Sequence, residues 1–151
     1  MFLYIYMKIP KRYVPKTLSN KDKKIQRKQI LKSRRQYKKK KYFTRKKVKS
    51  FKSKKSKHIS KAEKLYKLDS LKLNNQLSKK TKCSLASLRK IFKKGQGAYY
   101  SSGSRPNQTA HSWAYARLAS SISGGNASKV DYHILKKGCK PSSKALRLAK
   151  H

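Results

Sequence analysis

After an apolar run over Met1–Met7, apolar positions are sparse and irregular to about residue 60 and then fall into helical register. Leu65, Leu68 and Leu71, with Tyr66 and Leu73 beside them and Leu77 beyond, recur at three- and four-residue steps among lysines. That period predicts an amphipathic helix from about Lys61 to Leu73, ending near Asn74-Asn75. A second helix is predicted over 83–95. Ser84 is its N-cap, Leu85, Leu88 and Phe92 (with Ile91) form one face, and Lys93-Lys94 complement the dipole before Gly95 supplies a left-handed cap. Thr109 caps a third, Ala-rich helix that Gly124-Gly125 stop, with Trp113 expected in the core. Ser128 caps a short helix from Lys129 to Lys137, where Asp131 takes a capping-box position and Gly138 closes the element. After Pro141 a last amphipathic turn or two carries Leu146 and Leu148 and frays at His151.

Two stretches lack this periodicity. Between the second and third helices lies a Gly/Ser-rich loop in which Gly97 and Gly103 permit positive φ. Its Ser101, Ser102, Gly103, Ser104 and Arg105 form a candidate anion-binding loop, since exposed N–H groups and hydroxyls beside a guanidinium suit an oxyanion. No Gly-Lys-Ser/Thr follows, so this is not a Walker A loop. The competing reading is an ordered connector with Tyr99 and Tyr100 packed in a small core. The other stretch, 21–61, is dense in Lys and Arg and has no Gly or Pro. It lacks apolar surface to offset its ordering entropy and is expected to be disordered when alone, with helical turns forming on charge neutralisation. The expected fold is therefore mainly α: a small helical C-terminal module with a Gly/Ser-rich loop, preceded by a long basic, largely disordered arm. Residues 1–59 are the arm, 60–81 an amphipathic helix or linker, and 82–151 the module.

Charge sharpens this division. The 151 residues include 44 Lys+Arg against 4 Asp+Glu, a net charge of +40. Residues 1–94 hold 35 of the basic residues and three of the acids. Self-repulsion on this scale calls for a polyanion, and phosphate contacts release condensed counterions. Nucleic acid, DNA ahead of RNA, is the expected partner. An acidic membrane surface competes for the same field, but Met1–Met7 is far too short to span a bilayer. The candidate phosphate-contacting residues are Arg34, Arg35, Lys38, Lys39, Lys40, Lys41, Arg45, Lys46, Lys47, Lys93, Lys94, Arg105 and Arg117. Tyr37, Tyr42, Phe43 and Phe51 are interleaved with them. They suit base stacking on single strands, and equally suit a composition set by AT-rich coding.

Catalytic chemistry is not expected. General acid–base work needs tuned carboxylates or histidines; here the four acids each have a solvated or capping role, and His58, His111, His133 and His151 are scattered without metal-ligand spacing. No metal or cofactor is implied. Cys83 and Cys139 lie 56 residues apart and match no zinc pattern. Reduced thiols are the intracellular default, with a bridge open under oxidation. A small nucleic-acid-processing enzyme using Arg105, His111 and a loop serine stands as an alternative. The Leu65/Leu68/Leu71 face must cover either the module or a second copy, which makes self-association a further option.

The run from Gly97 to Trp113, with its Tyr-Ser-Ser-Gly-Ser-Arg-Pro-Asn core, continues through Ala116–Ser120, Gly124-Gly125 and Ala127–Asp131. Over about residues 85–139 it resembles an uncharacterised domain family of large DNA viruses, algal and amoebal giant viruses with some phages. The resemblance transfers no activity and no site residue. It implies a viral setting, in the virion interior or the virus factory (cytoplasm or nucleus) rather than secretion. The expected function is non-enzymatic charge neutralisation and packaging of DNA. A minor capsid or core protein whose arm threads between other virion proteins is the alternative.

Overall fold

A computed structural model describes residues 8–150, in which eight α-helices and one 3-10 turn account for the regular structure. The mainly helical expectation holds. Met1–Met7, the apolar segment, and His151, the expected frayed end, lie outside the described residues. The helices are α1 (Asn20–Lys38), α2 (Lys57–Leu65), α3 (Asn75–Thr81), α4 (Leu85–Ser101), α5 (Ala110–Ile122), α6 (Asn126–Val130), α7 (Tyr132–Gly138) and α8 (Lys144–Ala149). Two compact units form, one from Met1–Lys54 with Gln96–Trp113 and the other from Lys55–Gly95 with Ala114–His151. Each is built from two stretches of chain, with the changes of unit after Lys54, Gly95 and Trp113.

The first unit departs from the expectation of a largely disordered arm. Ser19 caps α1 by accepting from Asp22 N at 3.1 Å, and the helix then runs for 19 residues. Its buried positions are Asp22, Gln26, Ile30, Ser33 and Arg34, spaced at three- and four-residue steps. The buried face is thus helical in period but mostly polar. After α1 the chain has no regular secondary structure from 41 to 48 and is held by side chains rather than by a ladder. Asp22 accepts from Ser50 N at 2.9 Å and from its hydroxyl. Asn107 takes Val48 N at 2.7 Å and donates to Val48 O and Phe51 O at 3.2 and 3.0 Å. A small apolar cluster of Val14, Leu18 and Val48, with Ile9, Ile25 and Phe51 packed on it, completes this part.

The second unit is held by one larger apolar cluster that includes Tyr66, Leu77, Leu88, Ile91, Leu118, Ile122 and Leu135. Burying each large apolar side chain contributes about 1.5–3 kcal/mol. The predicted helix over 61–73 is displaced: α2 ends at Leu65, and Lys67 turns the chain in the left-handed region at φ 53. The reason is packing. The buried Tyr66 hydroxyl donates to Ile122 O, and Leu65, Leu68, Leu71 and Leu73 all pack against the same cluster. The Leu65/Leu68/Leu71 set is therefore part of this unit's own core and not an open face for self-association. Asn74, expected as a helix end, instead caps α3 through Leu77 N at 3.0 Å.

Helix α4 does not stop at Gly95 but continues to Ser101. A Cβ on Gly95 would lie 2.7 Å from Ala114 Cα, so glycine is needed for the close approach of two helix backbones, not for a cap. Ser84 and Thr109 do cap, accepting from Ser87 N at 3.2 Å and Ser112 N at 3.0 Å. The predicted helix over 129–137 divides into α6 and α7 around Asp131. Ser143 caps α8. Cys83 and Cys139 are disulfide-bonded, within a short antiparallel pairing in which Ser84 N donates to Gly138 O and Lys140 N to Lys82 O. Among the described residues, no helix is long and apolar enough to cross a membrane.

Candidate functional site

The thirteen basic residues singled out from the sequence fall into three environments. Arg35, Lys38, Lys39, Lys40, Lys41, Lys46, Lys47, Lys93, Lys94 and Arg105 are exposed. Arg34 and Arg45 are buried, with only 7% and 6% of their surface accessible. Arg117 is half-buried and committed to an ion pair. The last three are corrections to the expected phosphate-contacting set, and each has a packing cause.

Arg45 lies in a neutral cage. Its Nη1 donates to Tyr99 O at 2.8 Å and Ser33 Oγ at 3.1 Å, and its Nη2 donates to Ser104 Oγ at 2.7 Å. Its guanidinium carbon stands 3.8 Å from the Tyr99 ring centre, and its backbone N–H donates to the Tyr99 hydroxyl at 3.0 Å. Burial lowers the Arg45 pKa from the ordinary arginine value; Tyr99 opposes that shift and nearby Arg34 adds to it. Arg34 in turn donates to Ser102 O at 2.9 Å and Lys8 O at 3.0 Å. Charge-assisted bonds of this kind are about twice as strong as neutral ones and keep a buried cation tolerable.

The same bonds explain the stretch from Tyr99 to Thr109, the last residues of α4 followed by a loop over 102–109. Ser102 N and Gly103 N both donate to Ala98 O, at 2.9 and 3.1 Å. Ser104 is buried, its hydroxyl donating to Arg105 O and accepting from Arg45. Ser102 and Gly103 amides and the Ser104 hydroxyl are thus engaged inside the unit rather than turned toward an external oxyanion. Ser101 and Arg105 stay exposed. The loop therefore behaves as the ordered connector of the competing reading, a clamp for α1 and the segment after it. Gly103 sits at φ +134, and a Cβ there would press on Tyr13 and Ile30 at 3.1–3.2 Å; Gly97 lies inside α4 and is not among the positive-φ glycines. Trp113, expected in the core, is half-buried with its ring 5.8 Å edge-on from Tyr13.

In the second unit Asp131 is fully buried. It accepts from Arg117 Nε at 3.1 Å, Arg117 Nη2 at 2.7 Å and Ser121 Oγ at 2.7 Å, with Lys94 Nζ at 3.3 Å. Burial alone would raise its pKa. The Arg117 and Ser121 hydrogen bonds and the two positive charges outweigh that and hold it below the ordinary aspartate value. Asp131 makes no side-chain cap, so the capping-box role gives way to this ion pair.

The four aromatics of the basic stretch also separate. Phe43 lies under Lys32 Nζ at 4.5 Å, and Phe51 packs on the small apolar cluster. Tyr37 and Tyr42 instead join Tyr100 in a ring cluster. Tyr37 and Tyr100 are stacked at 9° with centroids 6.2 Å apart, and Tyr42 lies 5.1 Å from Tyr100. Tyr42 is 70% exposed, which sets it apart from every other aromatic in the described residues.

A family model described as a family of unknown function (DUF5824) matches residues 10–138. The chain belongs to the DUF5824 family. The match reaches well beyond 85–139 and takes in α1 and the lysine-rich segment after it, as expected if those residues are part of the folded domain. Neither the curated proteins nor the solved structures gave a match. The DUF5824 residues that bury Arg34 and Arg45 draw on α1, the irregular segment after it, and the end of α4 with the loop that follows. Sequence periodicity could not bring these three together, although Ser19-x-x-Asp22 was a readable helix start.

Proposed function

We propose that this DUF5824 chain is a non-enzymatic nucleic-acid-binding protein that neutralises phosphate through the exposed lysines and arginines of its first unit. One observation carries the reading. Twenty of the 23 basic residues in that unit are exposed, and its only acid, Asp22, is buried against Ser50. Its surface charge is therefore uncompensated by the protein itself. Proteins of this kind gain affinity from counterion release and contact phosphates with little dependence on base sequence. In the viral setting implied by the resemblance over 85–139, the polymer is a DNA genome that the protein condenses or packages.

The test is a titration of duplex DNA affinity against salt for the full chain. A steep loss of affinity is expected, with log K falling by about 0.9 per phosphate contact for each unit of log salt. The Lys46→Ala/Lys47→Ala double variant removes exposed charges without touching the Arg45 cage, and should flatten the slope by about 2. A shallow slope for the parent chain would overturn the reading.

A further inference from the structure

We infer that Tyr42, backed by Tyr37 and Tyr100 and directly preceded in the chain by the exposed lysines 38–41, is a stacking platform for an unpaired base of single-stranded nucleic acid. The inference rests on the nucleic-acid reading above and makes it more specific.

Three observations converge on this corner of the first unit. The first is exposure: a large ring left 70% accessible removes little apolar area from water, so it adds little to folding. The second is support. Tyr42 is not a ring on a loose tether, because Tyr100 lies 5.1 Å and Tyr37 6.2 Å from it, and Tyr100 is itself held edge-on by the fully buried Tyr99 at 5.1 Å. A ring fixed in this way loses little entropy when a base lands on it. The third is the turn that delivers it. Helix α1 closes with Lys40 N donating to Tyr37 O and Lys41 N to Gln36 O, and Lys40 occupies the left-handed region at φ 60. Glycine is favoured at such a position. Lysine there keeps an unbroken run from Lys38 to Lys41, all exposed, next to the ring.

The helix dipole accounts for a cation or two at a C-terminus. It does not account for an exposed tyrosine among them. Aromatic rings flanked by Lys side chains match the chemistry of a single strand, whose unstacked bases offer π faces and whose backbone offers a phosphate at each step. A duplex keeps its bases stacked and would engage the lysines alone. Phe43 and Phe51, engaged by Lys32 and by the apolar cluster, are excluded from the platform.

The experiment compares a labelled single-stranded oligonucleotide with the matching duplex at one salt concentration, using the full chain, Tyr42→Ala and Tyr42→Trp. Tyr42→Ala should weaken single-strand binding roughly 5- to 160-fold, the loss of one base–ring stack, while duplex affinity changes less than about twofold. Tyr42→Trp should retain or strengthen single-strand binding. If the parent binds both polymers and Tyr42→Ala alters neither, or weakens both equally, the platform is wrong while the phosphate reading stands. If the parent binds neither polymer, or if it binds an acidic protein instead, the nucleic-acid reading itself falls and the platform with it.

Discussion

Among the described residues, the unit formed by Lys55–Gly95 and Ala114–His151 gathers eighteen buried side chains into one apolar cluster, whereas the other unit's cluster has three. The difference extends to buried charge. The second unit buries a carboxylate, Asp131, and answers it with Arg117 and Lys94. The first buries guanidiniums as well as Asp22, and answers Arg45 with carbonyl, hydroxyl and ring and Asp22 with Ser50, all of them neutral partners. With so little apolar area to bury, the first unit depends on directional polar bonds, which stabilise it only when all are satisfied together. That dependence follows from composition. A stretch with 22 basic residues in its first 54 positions has few apolar side chains left to form a core. The second unit resembles an ordinary small helical domain; the first is a charged surface held in shape by a polar skeleton.

Breaking each skeleton separately tests the contrast. Reduction of the Cys83–Cys139 bridge should have the largest effect, because it frees a 56-residue separation within the second unit. Chain-entropy arithmetic gives about 4 kcal/mol. Chemical denaturation with and without reductant measures it. Hydrogen exchange should show the loss concentrated in α3, α7 and α8 and not in α1. Equal loss in both units would remove the distinction between them.

Next comes Arg45→Met, which keeps much of the side-chain length and deletes the charge. Relief of the buried cation opposes the change, but Tyr99 O loses its donor and a packed volume is emptied. We expect a net loss of about 3 kcal/mol, read as a lower denaturation midpoint and as faster exchange of α1 amides. A neutral or stabilised variant would mean that the cage is incidental and that apolar packing alone orders the unit.

The third prediction concerns Asp131 and pH. Its folded pKa lies below the ordinary aspartate value, as does that of Asp22, bonded by Ser50; that of Glu63, bonded by Lys55 and Leu71 N, lies below the ordinary glutamate value. The unfolded chain therefore binds protons first as pH falls. Stability from these groups is complete above the ordinary carboxylate range of about 4 and is lost as pH drops through their lower folded values. A thermal-midpoint series should be flat near neutrality and fall below about pH 4. Asp131→Asn leaves Arg117 unpaired and should cost about 2 kcal/mol at neutral pH, less than a fully buried pair because Arg117 and Lys94 are partly solvated. It should also flatten the acid limb. An unchanged limb would place the acid sensitivity in Asp22 and Glu63.

How much of this could be read from the sequence differs between the units for the same physical reason. In the second, apolar periodicity and caps locate the start of α4 and the body of α5, and periodicity alone the last amphipathic turn after Pro141, because buried there means mostly apolar. They failed where packing overrode local pattern. Gly95 looked like a stop and is a contact point for Ala114, while the Leu65–Leu73 repeat looked like one helix and is a helix, a turn and a strap over the core. In the first unit, apolar periodicity does not mark α1, because its inward stripe is Asp22, Gln26, Ile30, Ser33 and Arg34. The Tyr99–Thr109 stretch was visible as unusual, but its partners lie 50 to 80 residues away, as in the Gln26–Ser104 and Arg45–Tyr99 bonds. No local pattern encodes such pairings. Among the exposed lysines, sequence and structure agree because exposure is what a lysine adopts by default.

The smallest expected effect is the most discriminating for the first unit. Tyr42→Ala removes a ring that is largely in water, so the denaturation midpoint should move by well under about 1 kcal/mol. Its contacts with Tyr37 and Tyr100 set the upper bound, since an aromatic pair adds about 0.5–1.5 kcal/mol when buried and less when exposed. Tyr99→Phe is the contrasting change in the same cluster. It keeps the ring and deletes only the hydroxyl that accepts Arg45 N, leaving a buried donor unsatisfied at a cost of about 1–3 kcal/mol. If removing a whole exposed ring costs less than removing one buried oxygen, the two tyrosines divide as the polar skeleton requires, one holding the unit together and the other available at its surface. If Tyr42→Ala proves the costlier, Tyr42 belongs to the skeleton, and its exposure is explained by folding rather than by a ligand.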